Sequence, residues 1–305
     1  MAVVTETTGP PTTGEPSPDL DVPTRVLVLG MAHQDGTILA EELYPVAEAC
    51  GQSPDQVRSC LRRLVSEDLF TREGEGREAT FRATPDGMRA LGSSLERTRL
   101  AHTQDAAGKG WDRRWRLVAF AIPETKRAAR DAFRDHLTSL GGAAIQNGTY
   151  VSPHHWADDV TAAAERLGVT EHVTTATTDD LVIGGVRDPR TIAATLWPLD
   201  ELARRYQRFI DRYEGIPDDL EAMRKKKQRL TETEFIPGSL VIGIKFTECF
   251  NLDPLLPPEL LPRPWPGRQA RDLLVRSRRL GILLREQHNK PQLFAPFDDL
   301  LGSLI

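Results

Sequence analysis

Apolar residues recur at helical spacing in the first part of the chain. The stretches TRVLVLGMAH, from Thr24, and ILAEELYPVAEACG predict two successive helices, and Pro45 is expected to kink or shorten the second. A third helix is predicted to begin near Ser53. Ser53 can cap it, Pro54 suits its first turn and Gln56 completes a capping box.

The third predicted helix has an apolar side and a polar side. Its apolar positions are Val57, Cys60, Leu61, Leu64 and Val65, and its polar positions are Asp55, Gln56, Ser59, Arg62 and Arg63. LFTREGEGREATFRAT then predicts two short strands around a Gly-rich turn, and PDGMRALGSSLE predicts a helix. This order is typical of a winged helix-turn-helix, which we predict for residues 24–98.

Eight candidate DNA-binding residues lie on the third helix and the hairpin: Ser53, Gln56, Arg58, Ser59, Arg62, Arg63, Arg77 and Arg82. Arginine can pair with phosphate or form two hydrogen bonds to guanine. Residues 24–95 nevertheless hold eight Arg or Lys against eleven Asp or Glu, so any DNA contact must be local. The alternative is a small α+β domain whose third helix simply has a solvated face.

Residues 110–186 predict a second domain with the order β-α-β-β-α-β. In the strand WDRRWRLVAFAIPE, Trp115 and Leu117 fall on one side, and Val118 and Phe120 fall on the other. ETKRAARDAFRDHLTSLGG and WADDVTAAAERLG predict helices, TYVSP a strand, and VTTATTDDLVIGG one or two strands. The order is typical of a ferredoxin-like fold, which assigns no function by itself.

Residues 190–305 predict a helical C-terminal domain, so the fold class expected for the whole chain is multidomain α+β. FIPGSLVIGIKFTECF is apolar nearly all round and should be buried. MRKKKQRL is consistent with either a solvated helix face or a site for phosphate or CoA. Residues 252–267, LDPLLPPELLPRPWPG, form what we call the proline-rich segment, and its prolines predict a rigid corner that packs between helices.

Composition limits the possible functions. The chain has 305 residues and a net charge of -5, and its three cysteines lack CxxC spacing, so neither a disulfide framework nor a zinc site is indicated. A cytoplasmic protein is expected, with no membrane span and with a disordered leader over residues 1–23. No GxSxG, P-loop or GxGxxG occurs in a supporting context, so we expect no enzyme, cofactor or metal.

DPLLPPELLPRPWPGRQAR, residues 253–271, resembles the C-terminal signature of the PaaX family, the repressors of phenylacetic acid degradation. The positions in register are Asp253, Pro254, Leu255, Pro257, Leu260, Leu261, Pro262, Trp265, Gly267 and Ala270. VRSCLRRL resembles the family's recognition helix, WDRRW the start of its central domain, and YQRFIDRYE the helix before its C-terminal domain. The resemblance covers roughly residues 24–290.

The resemblance implies a homodimeric repressor that binds a palindromic DNA operator and is released by an aryl-CoA thioester such as phenylacetyl-CoA. The candidate effector-binding residues are Trp111, Arg113, Arg114, Trp115 and Trp197, together with cations near Arg224. Each tryptophan is more often a core or interface residue than a ligand contact. This sequence departs from the family pattern at Glu78, where a second basic residue is usual, and at residues 68–69, where the family has Gly-Trp.

Two alternatives to a DNA-binding repressor involve enzymatic activity or acyl-CoA binding. The central domain also resembles the small CRISPR adaptation nucleases, whose first strand ends in a metal-binding aspartate. Here that strand is LVAFAIP, which has no acid to supply the first ligand. An acyl-CoA-binding or thioester-processing protein, in which the winged helix serves assembly, remains the main alternative to a repressor.

Overall fold

The computed structural model shows a mixed α+β chain with many helices and two small sheets, in agreement with the α+β class expected. The structure describes residues 23–108, 110–286, 294, 296 and 297. The predicted leader therefore lies outside the described residues, apart from its last position.

The N-terminal unit, residues 24–107, combines helices with a three-stranded sheet. Its helices are α1 (Thr24–Gly30), α2 (Ala40–Ala49), α3 (Pro54–Ser66) and α4 (Pro85–Ala107), and its strands are β1 (Thr37–Leu39), β2 (Phe70–Glu73) and β3 (Thr80–Ala83). Strand β3 pairs antiparallel with both β1 and β2. The predicted hairpin thus gains a third strand, and α2 continues through Pro45 to its end at Ala49.

A four-stranded antiparallel sheet lies at the centre of the second part of the chain. Its elements are β4 (Trp115–Phe120), α5 (Arg127–Ser139), β5 (Ala143–Gln146), β6 (Thr149–Ser152), α6 (Ala157–Arg166) and β7 (Val173–Thr178). The strand order is β5-β6-β4-β7. The chain therefore has the β-α-β-β-α-β order predicted for it, and only an isolated bridge between Ile183 and Val186 follows β7 in this region.

Five helices lie between residues 189 and 284. They are α7 (Pro189–Leu196), α8 (Leu199–Tyr213), α9 (Ile216–Lys225), α10 (Glu232–Phe250) and α11 (Pro266–Leu284). Helix α8 buries Leu202, Tyr206, Phe209 and Ile210, which follow one another at helical spacing. The proline-rich segment connects α10 to α11.

The proline-rich segment covers one face of the four-stranded sheet. Leu256, Leu260 and Leu261 are buried there against Trp115 and Trp197. Helices α5 and α6 cover the opposite face. The segment therefore does more than turn a corner between helices, because its leucines form a layer of the core.

Helix α10 contributes to two hydrophobic cores. Near its start, Phe235, Ile236 and Leu240 are buried with residues of α1, α2 and α3. Near its end, Phe246 and Phe250 are buried with residues of α8 and α11. The sequence predicted that this apolar helix is buried, and the structure shows that one helix joins the N-terminal unit to the C-terminal helices.

The folded protein is expected to resist thiol alkylation. Cys50, Cys60 and Cys249 are free and buried. Burial raises the pKa of Cys50 to about 11 and also raises the pKa of Cys60 and of Cys249. Because the thiolate is the reactive form, iodoacetamide at mildly alkaline pH should leave the native chain unmodified and label all three cysteines in guanidinium chloride. Intact-mass spectrometry counts the adducts, and a rapid adduct on the native chain would contradict this expectation.

Candidate nucleic-acid interface

Helix α3 begins with the capping box that the sequence predicted. The backbone N–H of Gln56 donates to Ser53 Oγ at 3.3 Å, and the backbone N–H of Ser53 donates to Gln56 Oε1 at 2.7 Å. Pro54 occupies the first turn. The start of α3 is therefore fixed locally, and the side-chain carbonyl of Gln56 is occupied by the helix's own backbone.

The two sides of α3 differ sharply in exposure. Val57, Leu61 and Leu64 are buried against the N-terminal unit, whereas Arg62 and Arg63 are exposed. Ser53, Gln56, Arg58 and Ser59 are exposed as well. Val65, which the pattern placed on the apolar side, is 37% exposed. The packing thus leaves a continuous polar face on this helix.

The arginines of α3 differ in their ion pairing. Arg58 is paired with Asp55, one turn earlier, and this contact raises the pKa of Arg58. Among the residues that the structure describes, neither Arg62 nor Arg63 has a partner for its guanidinium group. Arg62 and Arg63 can therefore bind an external anion without first losing an internal contact.

The hairpin after α3 carries the other two candidate arginines. Arg82, on β3, forms a 3.0 Å ion pair with Glu73 on β2. Arg77 lies in a short 3₁₀ turn, Gly76–Glu78, at the tip of the hairpin and is exposed. The adjacent Glu78 is exposed too. Arg77 is thus the freer of the two cations, although an acid accompanies it.

The tryptophans predicted to contact an effector pack around one another. Trp115 and Trp197 are 2% and 5% exposed and stack with ring centroids 6.4 Å apart. Trp197 Nε1 donates to the carbonyl oxygen of Gly141 at 3.1 Å. Trp111 is half-buried, and its ring meets Trp115 edge-on at 5.2 Å. Trp115 and Trp197 are therefore core residues of the sheet face.

The cations predicted for the same effector site are exposed. Arg113 and Arg114 lie in the connection that precedes β4. Arg224 pairs with Glu221 at 3.0 Å on α9, and Lys225 ends that helix. Neither of the two pockets described below is lined by these cations or by the tryptophans. Effector binding at these positions stays a prediction.

A buried polar network that the sequence analysis did not identify surrounds Asp253. Its carboxylate accepts hydrogen bonds from Tyr206 Oη and from the backbone N–H of Leu255, both at 2.8 Å. Arg271 Nη1 lies 3.8 Å from the carboxylate, and Arg271 also forms a bidentate pair with Asp105 at 2.6 and 2.8 Å. Asp253 and Arg271 are the first and last residues of the signature quoted above, so that signature contained the missed signal.

Helix α4, which carries Asp105, contacts the same network through a second residue, Arg97. Arg97 Nη2 donates to the main-chain oxygens of Phe250 and Asp253 at 3.1 and 2.7 Å. Burial raises the pKa of the Tyr206 hydroxyl, and the nearby Asp253 raises it further, so this group remains a donor. The network therefore holds α4, α8, α11 and the proline-rich segment together.

The structure gives no support for a metal centre within its described residues. They include no group of three or more His, Cys, Asp or Glu side chains that could hold a metal ion. His154 is half-buried, and its Nε2 lies 2.9 Å from the carbonyl oxygen of Pro254. Of the described helices, none combines the length and apolar character that a membrane span requires.

Comparison with known proteins identifies the central and C-terminal parts of the chain. Residues 108–193 match the family described as "PaaX protein central Cas2-like domain". Residues 197–284 match the "PaaX-like protein C-terminal domain". The match to the second of these includes the whole signature from Asp253 to Arg271.

Two individual proteins share most of this architecture. The Transcriptional repressor PaaX of Escherichia coli (strain K12) is 24% identical over 245 residues, which are 80% of this chain and 74% of the repressor. The solved structure of Uncharacterized protein Rv0674 from Mycobacterium tuberculosis aligns with a TM-score of 0.51 and 21% identity, covering 86% of this chain and 94% of that one. The structural likeness supports a shared fold. The two matching domains, which together cover more than half of the sequence, show that this chain is a member of the PaaX family.

Proposed function

We propose that this chain is a transcriptional repressor that binds a palindromic DNA operator as a homodimer and leaves it when an aryl-CoA thioester, such as phenylacetyl-CoA, binds. Family membership supports the regulatory role, since the Escherichia coli relative is named a transcriptional repressor. The observation that carries DNA binding is the exposed face of α3, where Arg62 and Arg63 have no partner among the described residues.

In this proposal the N-terminal unit is a winged helix-turn-helix, and α3 is its recognition helix. Helices α2 and α3 are joined by a short turn, and in such a pair the second helix enters the major groove. Ser59, Arg62 and Arg63 would face base edges. The start of α3, capped by Ser53, would lie near backbone phosphate, which the helix dipole favours.

The hairpin would act as the wing and contact the DNA backbone. Arg77 is exposed at its tip, and Arg82 is available once its ion pair with Glu73 opens. Because Glu78 follows Arg77, the phosphate contact of this wing should be weaker than that of a tip with two cations. Base reading is therefore assigned to α3, and the hairpin contributes mainly to positioning.

A homodimer would explain a palindromic site. One copy of α3 reads one half-site, and two copies related by a twofold axis read two half-sites about 34–36 Å apart, or a multiple of that distance. Release follows only if the effector binds the form without DNA more tightly than the operator-bound form. The central and C-terminal domains, residues 110–186 and 190–305, are proposed to supply the dimer contacts and the effector site.

The proposal is tested by selecting genomic DNA fragments with the purified full-length protein and then titrating the enriched DNA with acyl-CoA thioesters at fixed salt. Enrichment of one palindromic site, released by one aryl-CoA, is the expected result. Light scattering on the complex should give two protein chains per site. No enriched site at any salt concentration would refute DNA recognition.

The same experiment separates the proposal from the thioester-processing alternative. Chromatography of the thioester after incubation with the protein shows whether it is consumed. A sensor should return it intact, whereas a hydrolase should convert it to free acid and CoA. Consumption of the thioester without any DNA enrichment would favour the enzyme.

A further inference from the structure

A cavity of about 250 Å³ lies between helices α4, α9, α10 and α11. Its wall is mainly apolar and includes Phe235, Ile242, Phe246, Phe250 and Leu274. A dry cavity of roughly 150 Å³ already accepts benzene in an engineered protein core. The present cavity is therefore large enough for an aromatic ring with a short attached group.

Two buried polar atoms in this wall make no hydrogen bond to another described residue. Arg271 and Ser277 are 5% and 4% exposed, and within the described residues Arg271 Nη1 and Ser277 Oγ are buried without a hydrogen-bond partner. Arg271 Nη1 lies within ion-pair distance of Asp253, at 3.8 Å, but does not form a hydrogen bond with it. Buried donors are nearly always hydrogen-bonded, so this nitrogen and the Ser277 hydroxyl can both accommodate an acceptor supplied by a ligand. A carbonyl oxygen is the acceptor that an otherwise apolar ligand would supply.

The ionised groups near the cavity favour a neutral acceptor over a carboxylate. The cations Arg97 and Arg271 are accompanied by the acids Asp105 and Asp253. A ligand carboxylate would add a negative charge to a buried cluster whose formal charges already balance, which is costly. The carbonyl of a thioester forms the same hydrogen bonds without adding charge.

An exposed groove that contains three arginines adjoins the cavity. His102 and Val275 line both spaces, so the two are neighbours. The groove is also lined by Arg268, Arg276 and Arg279, which follow one another on α11 at spacings typical of one helix face, and by the acids Asp105, Glu221 and Asp272. Arg268 pairs with Asp272, and Arg276 pairs with Asp218. Arg279 has no ion-pair partner among the residues described, which leaves it available to a phosphate.

We propose that the α10–α11 cavity binds the acyl group of an acyl thioester, with its carbonyl oxygen accepting from Arg271 and Ser277 and its phosphate-bearing tail lying along the arginine groove. The site is distinct from the tryptophans near β4. The role of this ligand as the effector rests on the proposed function. Its binding to the cavity does not depend on that function.

The position of the cavity explains how such a ligand would affect the N-terminal unit. Phe235 of α10 lines the cavity and is also buried in the core of that unit. Val26 of α1 lines the cavity too. A ligand here contacts two helices that pack against α3 or its neighbours, and can therefore change the orientation of the DNA-binding face.

The test uses the full-length chain, isothermal titration calorimetry, and three probes: phenylacetyl-CoA, phenylacetate and CoA. The main variant is Gly243→Leu. Gly243 lines the cavity, and a Cβ added there would have Phe294, another lining residue, as its neighbour at 4.0 Å, so the leucine occupies the ligand's space. The matched control is Gly92→Leu, on a helix surface with open space around the added Cβ.

We expect phenylacetyl-CoA to bind the unmodified chain and the Gly92→Leu chain equally and to bind Gly243→Leu at least tenfold more weakly. Ser277→Ala should bind the thioester about three- to tenfold more weakly, the loss expected for one hydrogen bond. The thermal stability of this variant should not fall, because the hydroxyl has no partner among the described residues. If Ser277 had only a structural role, Ser277→Ala would lower the thermal stability and leave the thioester affinity unchanged. Arg279→Ala should weaken the binding of both phenylacetyl-CoA and CoA.

Equal thioester affinity in the unmodified and Gly243→Leu chains would overturn this assignment, and so would the absence of binding to the unmodified chain. Tight binding of phenylacetate, lost in Gly243→Leu, would overturn the thioester as the source of the acyl group. A different result would show that the proposed function is wrong. In that case Gly243→Leu would weaken thioester binding, but no DNA site would be enriched. If phenylacetyl-CoA released Gly243→Leu from its operator normally, the proposed repressor function would still hold. The cavity would then be excluded as the effector site.

Discussion

Replacing Asp253 by alanine is expected to lower the free energy of unfolding by about 3–5 kcal/mol, the range observed when one member of a buried ion pair is removed. Asp253 is 3% exposed. The substitution leaves the buried Tyr206 hydroxyl and the backbone N–H of Leu255 without their acceptor. It also removes one of the two carboxylates near Arg271. Urea unfolding followed by circular dichroism measures the loss.

Tyr206→Phe provides the matched comparison for this prediction. It removes one donor to Asp253 and keeps the aromatic ring, which packs 6.0 Å from the ring of Trp265. The expected cost is about 1.5–3 kcal/mol, as for one hydrogen bond to a charged group. If Asp253→Ala proves no more destabilising than Tyr206→Phe, the carboxylate does not organise the network in the way described.

The double substitution Arg62→Ala with Arg63→Ala is expected to reduce operator affinity by at least roughly 30-fold. Each good contact between arginine and a base contributes about 1–3 kcal/mol of discrimination. The stability of the fold should change by less than about 0.5 kcal/mol, because both side chains are exposed and without partners among the described residues. Fluorescence anisotropy with the selected DNA site, at several salt concentrations, measures the affinity.

Arg58→Ala is the control on the same helix. Arg58 already pairs with Asp55, so its removal should weaken DNA binding much less than the double substitution. The salt dependence separates base reading from phosphate contact, since loss of a phosphate contact reduces the slope of log affinity against log salt by about one. Unaltered affinity in the double variant at matched salt would exclude α3 as the recognition helix.

Features set by neighbouring residues were predictable from the sequence. The capping box of α3 joins Ser53 to Gln56 and depends on four consecutive residues. The alternation along β4 was equally informative: Trp115 packs on the face covered by the proline-rich segment, and Val118 packs on the face covered by α5 and α6. Both features are set by residues within a few positions of one another, so a local pattern in the sequence is enough to predict them.

Features set by distant residues were not predictable in this way. Strand β1 has three residues, and its partner β3 lies about forty positions later, so no local pattern distinguishes it from the helix that follows. The partners in the buried network are more distant still: Tyr206 is 47 positions from Asp253, and Asp105 is 166 positions from Arg271. The signature contains Asp253 and Arg271, but only the fold shows which side chains they meet.

Because helix α10 contributes to two cores, the N-terminal unit is not an independent domain that could be moved to another protein. Phe235, Ile236 and Leu240 come from a helix that begins more than one hundred residues after the unit ends, yet they fill part of its interior. A fragment cut after Ala107 would lose these side chains and expose the apolar surface that they cover. In this protein the boundary of the sequence domain and the boundary of the physical core do not coincide.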